Sequence, residues 1–245
     1  HILVGVLWIG HLYFFNFVNG HFAATLDADT KKKVVPELMP RALFWFRWGA
    51  AWTWITGVLL IALVFYHSKI VFNEYGEWNT ASLIMIAVTF LGVFVYDILL
   101  NKMGHTKPFV ILGFVLSAAI VIAMSCWANF SYRGYNIHIA ALFGTIMAYN
   151  VWVRIWPLQQ KIISAIKSGE KADPAWGAVA GMRSKHNTYL SVPLFWGMIN
   201  SHTTFFAGGN LYPDQWAWVS TLVMIALGWH IVWQLYKKSA KVKGF

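Results

Sequence analysis

Nine histidines in a chain with only 11% Asp, Glu, Lys and Arg are the residues best placed to do chemistry. A neutral imidazole ligates haem iron and other metals, and it moves protons near neutral pH. At membrane depth an ionisable side chain is a functional candidate by default, because its burial in hydrocarbon is costly. His1, His138 and His202 are expected toward one end of their apolar runs, and they are the set read as ligands of a single metal or haem b centre. His11 and His230 fall deeper and His186 sits at the entrance of its run, so these three are further cofactor-binding candidates. Their competing role is hydrogen-bonded packing. Two stacked haems are not expected. His1 and His11 lie about 80° apart around a helix of 3.6 residues per turn, and His186 and His202 about 160° apart. A single Cys126 excludes a C-x-x-C-H site, so no covalent haem c is expected. Hydrolytic chemistry has no support either, since there is no phosphate loop, nucleophile elbow or H-E-x-x-H pair.

The elements that must position these residues follow from composition. The chain is 58% hydrophobic with a mean hydropathy of +0.55, whereas soluble domains carry about 25% charged residues. The expected fold is therefore an all-α polytopic membrane protein, one transmembrane domain over residues 1–245 in a lipid bilayer. Runs of about 20 apolar residues, the length that spans a bilayer, number seven: His1–Asn19, Leu43–Tyr66, Ala81–Leu100, Phe109–Phe130, Tyr135–Trp156, Asn187–Phe206 and Gln215–Tyr236. Alternating these runs puts seventeen of the nineteen Lys and Arg on one side, leaving Lys69 and Arg133 on the other. Basic loops stay in the cytoplasm, so the N-terminus is expected outside and the C-terminus inside. The net charge of +10 then reports orientation, and no nucleic-acid partner is expected.

Segments 20–42 and 157–186 read as long cytoplasmic loops, with Pro36, Pro40 and Pro157 as breakers. Asp173-Pro174 reads as a helix cap, which predicts a short interfacial helix over Ala175–Lys185. Arg47, Asp97 and Arg154 are expected at similar depth as ion-paired or snorkelling residues. Asn16, Asn150 and Asn200 are expected to hydrogen-bond between helices.

The opening stretch His1–Phe17, "HILVGVLWIGHLYFFNF", resembles the first helix of the bacterial membrane-bound urate oxidase (urate hydroxylase) family. In the same order, Leu38–Ala50, His138–Trp152 and Arg183–Met198 leading to His202 are similar to further segments of that family. The resemblance implies an inner-membrane helical domain that oxidises a purine and passes electrons to a cytochrome c. It carries over to His1, Trp8, Arg47, His138, Asn150, Arg183, His186, Asn187 and His202. A cytochrome c domain usually follows the membrane part, and these 245 residues hold no haem-attachment motif. The electron acceptor is thus expected to be a separate cytochrome c or cytochrome subunit. The alternative reading is a cofactor-free structural or assembly subunit of a larger membrane electron-transfer complex.

Overall fold

A computed structural model describes residues 1–73, 76–200, 202 and 216–242. These residues are helical almost throughout, and the extended pairing among them is an isolated bridge between Phe72 and Phe130. In chain order the α-helices are α1 (Ile2–Tyr13), α2 (Gly20–Thr25), α3 (Ala28–Leu60), α4 (Thr80–Met103), α5 (Lys107–Ile122), α6 (Tyr132–Tyr149), α7 (Trp156–Ser168), α8 (Pro174–Asn200) and α9 (Ala217–Ser239). Four π-helical stretches, Phe14–Asn19, Ile61–Tyr66, Ala123–Trp127 and Asn150–Ile155, join or extend them. Six continuous helices among the described residues are long and apolar enough to cross a membrane: Ile2–Thr25, Ala28–Tyr66, Thr80–Met103, Lys107–Trp127, Tyr132–Ser168 and Ala217–Ser239. The seventh expected span, Asn187–Phe206, begins inside α8 and ends at residues outside the described set. Burial follows a lipid solvent. Ile2, Leu3, Leu63 and Ile111 are exposed, while Asn136, His138, Asn150, Arg183 and Asn187 are fully buried.

Both segments expected as long cytoplasmic loops, 20–42 and 157–186, are largely helical. Ala28–Tyr66 is one helix of 39 residues and Tyr132–Ser168 one of 37. At 1.5 Å per residue they are about 58 and 55 Å long, well beyond the roughly 30 Å hydrocarbon core. Pro36 and Pro40 lie inside α3 without ending it. Each removes one backbone donor, but Lys32 and Pro36, whose carbonyls lose it, lie at an exposed or half-exposed part of the helix where water can replace it. Pro157 is accommodated in the first turn of α7, directly after a π-helical stretch. The Asp173 cap is present, with its carboxylate accepting from the Ala175 N–H at 2.8 Å. The helix it starts runs to Asn200 instead of stopping near Lys185.

Capping fixes the other ends. Asp27 accepts from the Thr30 N–H at 2.9 Å and from its hydroxyl at 2.7 Å, and these bonds hold its carboxyl below the usual range. Asn79 and Ser82 form a reciprocal capping box at the start of α4. Gly104 and Gly169 close α4 and α7 at φ 63° and 77°, where a side chain would be strained.

The chain divides into two compact units. Unit 1 comprises His1–Thr56, Met147–Tyr189 and Ile231–Phe245. Here α1 runs antiparallel along α3 through His1 with Thr56, Gly5 with Thr53, Trp8 with Gly49, and Phe15 with Phe46. A Cβ on Gly49 would sit 3.0 Å from the Trp8 nitrogen, so a small residue is what lets the backbones meet. The helix continuing α6 also runs antiparallel to α3. The Trp152 indole donates to the Arg47 carbonyl at 3.0 Å, and the Gly169 region comes near Lys32.

Unit 2 comprises Gly57–Ile146 and Leu190–His230. Its core is α6, flanked by the short segments that bridge at Phe72 and Phe130. The Ser131 N–H donates to the Val71 carbonyl at 2.8 Å and the Asn73 N–H to the Asn129 carbonyl at 3.1 Å. On another side α8 meets α6 closely, since a Cβ on Gly197 would lie 2.8 Å from the Asn136 carbonyl.

Candidate functional site

In unit 1 the sequence Arg183, Ser184, Lys185, His186, Asn187, Thr188 places six consecutive polar residues on α8. Arg183, His186, Asn187 and Thr188 are buried. The Arg183 guanidinium donates to Asn150 Oδ1 at 3.2 Å, and the Asn150 amide donates to Asn187 Oδ1 at 2.9 Å. Asn187 in turn donates to the Met147 carbonyl at 2.9 Å. Asn150 opens a π-helical stretch. Such stretches widen the backbone ring locally and are frequent at functional sites. The adjacent face of α8 is tied to two other helices. Asn16 donates to Ser184 Oγ at 2.8 Å and accepts from the Tyr236 hydroxyl at 2.8 Å. Asp27, Asp29, Glu37, Glu170 and Asp173, the carboxylates of this unit, are all exposed. Chemically this is a buried cation with two amides, a set that offers hydrogen-bond donors and acceptors side by side.

Unit 2 holds a second polar centre. His138 is fully buried. Its Nδ1 lies 2.7 Å from the Gly134 carbonyl, and its Nε2 lies 2.9 Å from the Tyr66 hydroxyl. A carbonyl only accepts, so Nδ1 carries the hydrogen and Nε2 accepts from Tyr66. Phe130 packs on the imidazole at 4.8 Å between centroids, and Trp78 meets Tyr66 at 5.6 Å. Asn136, on another side of α6, accepts from Thr221 at 2.9 Å and donates to the Tyr132 carbonyl at 2.8 Å, while Asn200 donates to the Tyr132 hydroxyl. Tyr66→Phe is expected to lower the apparent melting temperature, because it strips Nε2 of its donor in a buried position at a cost of about 1–3 kcal/mol. Thermal unfolding in detergent checks this. An unchanged midpoint would mean the hydrogen bond contributes nothing.

Two other histidines make hydrogen bonds of their own. His1 Nδ1 lies 3.2 Å from the Thr56 hydroxyl, and His11 Nδ1 donates to the Leu7 carbonyl of its own helix at 2.7 Å. His202 is exposed in a turn with its N–H on the Ile199 carbonyl, and His230 is exposed on α9. His1, His11 and His186 belong to unit 1, and His138, His202 and His230 to unit 2. Among the described residues no group of three or more His, Cys, Asp or Glu is arranged to hold a metal ion. Arg47 lies over the Trp156 ring in unit 1, its guanidinium carbon 3.9 Å from the centroid. Asp97, in unit 2, is buried and accepts from Asn101 at 3.3 Å.

Sequence reasoning named Tyr66 as the end of the run Leu43–Tyr66 and missed its role. The available signal was its place at that end, the depth also expected for His138. The interhelical roles of Asn16, Asn150 and Asn200 are as expected. In comparison with known proteins, a family model described as Urate oxidase N-terminal matches residues 23–244. No curated protein and no solved structure matches the chain.

Proposed function

Because the chain belongs to the urate oxidase N-terminal family, we propose that it is a membrane-embedded oxidoreductase that oxidises a urate-like purine and gives the electrons to a separate cytochrome. The observation that carries this reading is the buried Arg183–Asn150–Asn187 network. Oxo-purines are planar and carry alternating carbonyl and N–H groups on their rim. Carboxamides read such edges in both directions, and a guanidinium favours the ring's anion. The proposed orientation keeps the basic ends of α3, α7 and α9 in the cytoplasm of the bacterial inner membrane.

A haem b or other metal centre would supply one-electron chemistry between substrate and cytochrome. His138 does not fit as one of its ligands, because both its nitrogens are already engaged. No step is therefore routed through such a group. What the chain's own residues do is bind and orient. Arg183 holds the anion, Asn150 and Asn187 fix the ring plane, and the surrounding helices exclude water.

The test is urate-dependent reduction of added cytochrome c by the purified full chain. Reduction that requires both urate and folded protein supports the reading. A folded protein that neither binds nor oxidises urate, and that co-purifies with partners in fixed stoichiometry, is the structural-subunit alternative. An optical spectrum and metal analysis of the same sample decide the cofactor. A band that shifts on reduction and vanishes in His138→Ala and His202→Ala would place those histidines at a haem or metal.

A further inference from the structure

In unit 1 the Trp8 indole is a buried donor with an unmet bond. Its side chain is 1% exposed, and its indole N–H has no hydrogen-bond partner among the described residues. Buried donors are rarely left so, and each such group calls for an explanation. An indole N–H can only donate, as can a guanidinium.

Helix register puts this donor at the depth of the polar network. Trp8 packs on Gly49, where the two backbones are in contact. On α3 Gly49 lies two residues beyond Arg47, whose carbonyl accepts from Trp152. Asn150 lies two residues before Trp152 on a helix running the other way. Two residues rise about 3 Å on either helix, so Trp8, Gly49 and Asn150 fall within about one turn of each other in height. From Asn150 the hydrogen bonds continue to Arg183 and Asn187. Trp8 on α1 therefore stands at the level in unit 1 where the helix continuing α6 and α8 bring the guanidinium and the two amides together.

We propose that the indole N–H of Trp8 is a ligand-binding donor of this site, completed by a carbonyl or enolate oxygen of a bound anionic oxo-purine. The inference rests on the purine reading above. It adds that recognition comes from two sides of the ring, with α8 on one edge and α1 on the other. It also explains why a donor is left without a partner in the folded protein, since the ligand brings the acceptor.

The experiment is equilibrium binding of urate and of xanthine, which has one carbonyl fewer, to the full chain in lipid nanodiscs. Wild-type protein is expected to bind urate. Trp8→Phe is expected to weaken it at least tenfold while circular dichroism stays unchanged. Since a smaller ring leaves a cavity, the decisive variant places benzothienylalanine at position 8, an isostere with sulfur in place of N–H. It is expected to show the same loss with an unchanged melting point in the absence of ligand. The ratio of urate to xanthine affinity should fall in both variants if the lost partner is the extra carbonyl, and stay constant if a shared carbonyl is the partner; either result supports the donor. Urate affinity equal to wild type in the isostere overturns the role of Trp8 and leaves the purine reading standing. Absence of binding of either purine to folded wild-type protein overturns both.

Discussion

Arg183→Met is expected to reduce urate turnover by at least about thirtyfold while the protein keeps its helical content. Removing one member of a buried charged hydrogen-bonded set costs about 2–5 kcal/mol of binding, and each 1.36 kcal/mol is a factor of ten in rate. The effect on stability is expected to be smaller. Methionine fills the space without a charge, and what remains is the Asn150 oxygen, which loses a donor at about 1–3 kcal/mol. Function and fold therefore separate in this one variant. Arg183→Lys keeps the charge but not the planar fork, and it should fall between wild type and Met. Steady-state rates with cytochrome c as acceptor, set beside melting curves, check the prediction. A kcat/KM within threefold of wild type would remove Arg183 from the site.

Gly134→Ala should yield little or no stable protein. The added Cβ would fall inside the contact distance of the Val71 carbonyl oxygen and lie 3.0 Å from the carbonyl carbon. That carbonyl cannot retreat freely, since it accepts from Ser131 at 2.8 Å beside the Phe72–Phe130 bridge. The Gly134 carbonyl also seats His138. Overpacking by one methyl commonly costs about 1–3 kcal/mol, and more where backbone must move. Here the bridge, the Ser131 bond and the His138 seat are displaced together. Size-exclusion profiles and melting points after detergent extraction report it. A monodisperse variant melting with wild type would show that the segment around Val71 is looser than this packing requires.

Much of the helical framework was legible because it depends on composition. Ala81–Leu100 and Phe109–Phe130 anticipate α4 and α5 closely, since a bilayer demands a fixed length of apolar residues. Length beyond the membrane was not legible. Pro36, Pro40 and Pro157 are strong breakers by rule, yet solvent-exposed carbonyls and a π-helical stretch let the helices pass through them. The π-helical stretches themselves leave no sequence signal, although Asn16, Tyr66 and Asn150 all sit in them. Within the site, Asn150, Arg183 and Asn187 were reachable as polar residues in apolar surroundings. The pairing of Tyr66 with His138 was not, because it depends on which helix faces meet, and a span list carries no such information. Counting histidines by depth pointed to one shared centre, but depth alone does not say which helix faces meet.

The most direct measurement is an experimental structure of the full chain saturated with urate. Density for a planar ring beside Arg183, Asn150 and Asn187, with an oxygen toward Trp8, is the result this account predicts. A ring bound beside His138 in the other unit, or a saturated protein with that polar network unchanged and nothing against it, would contradict it.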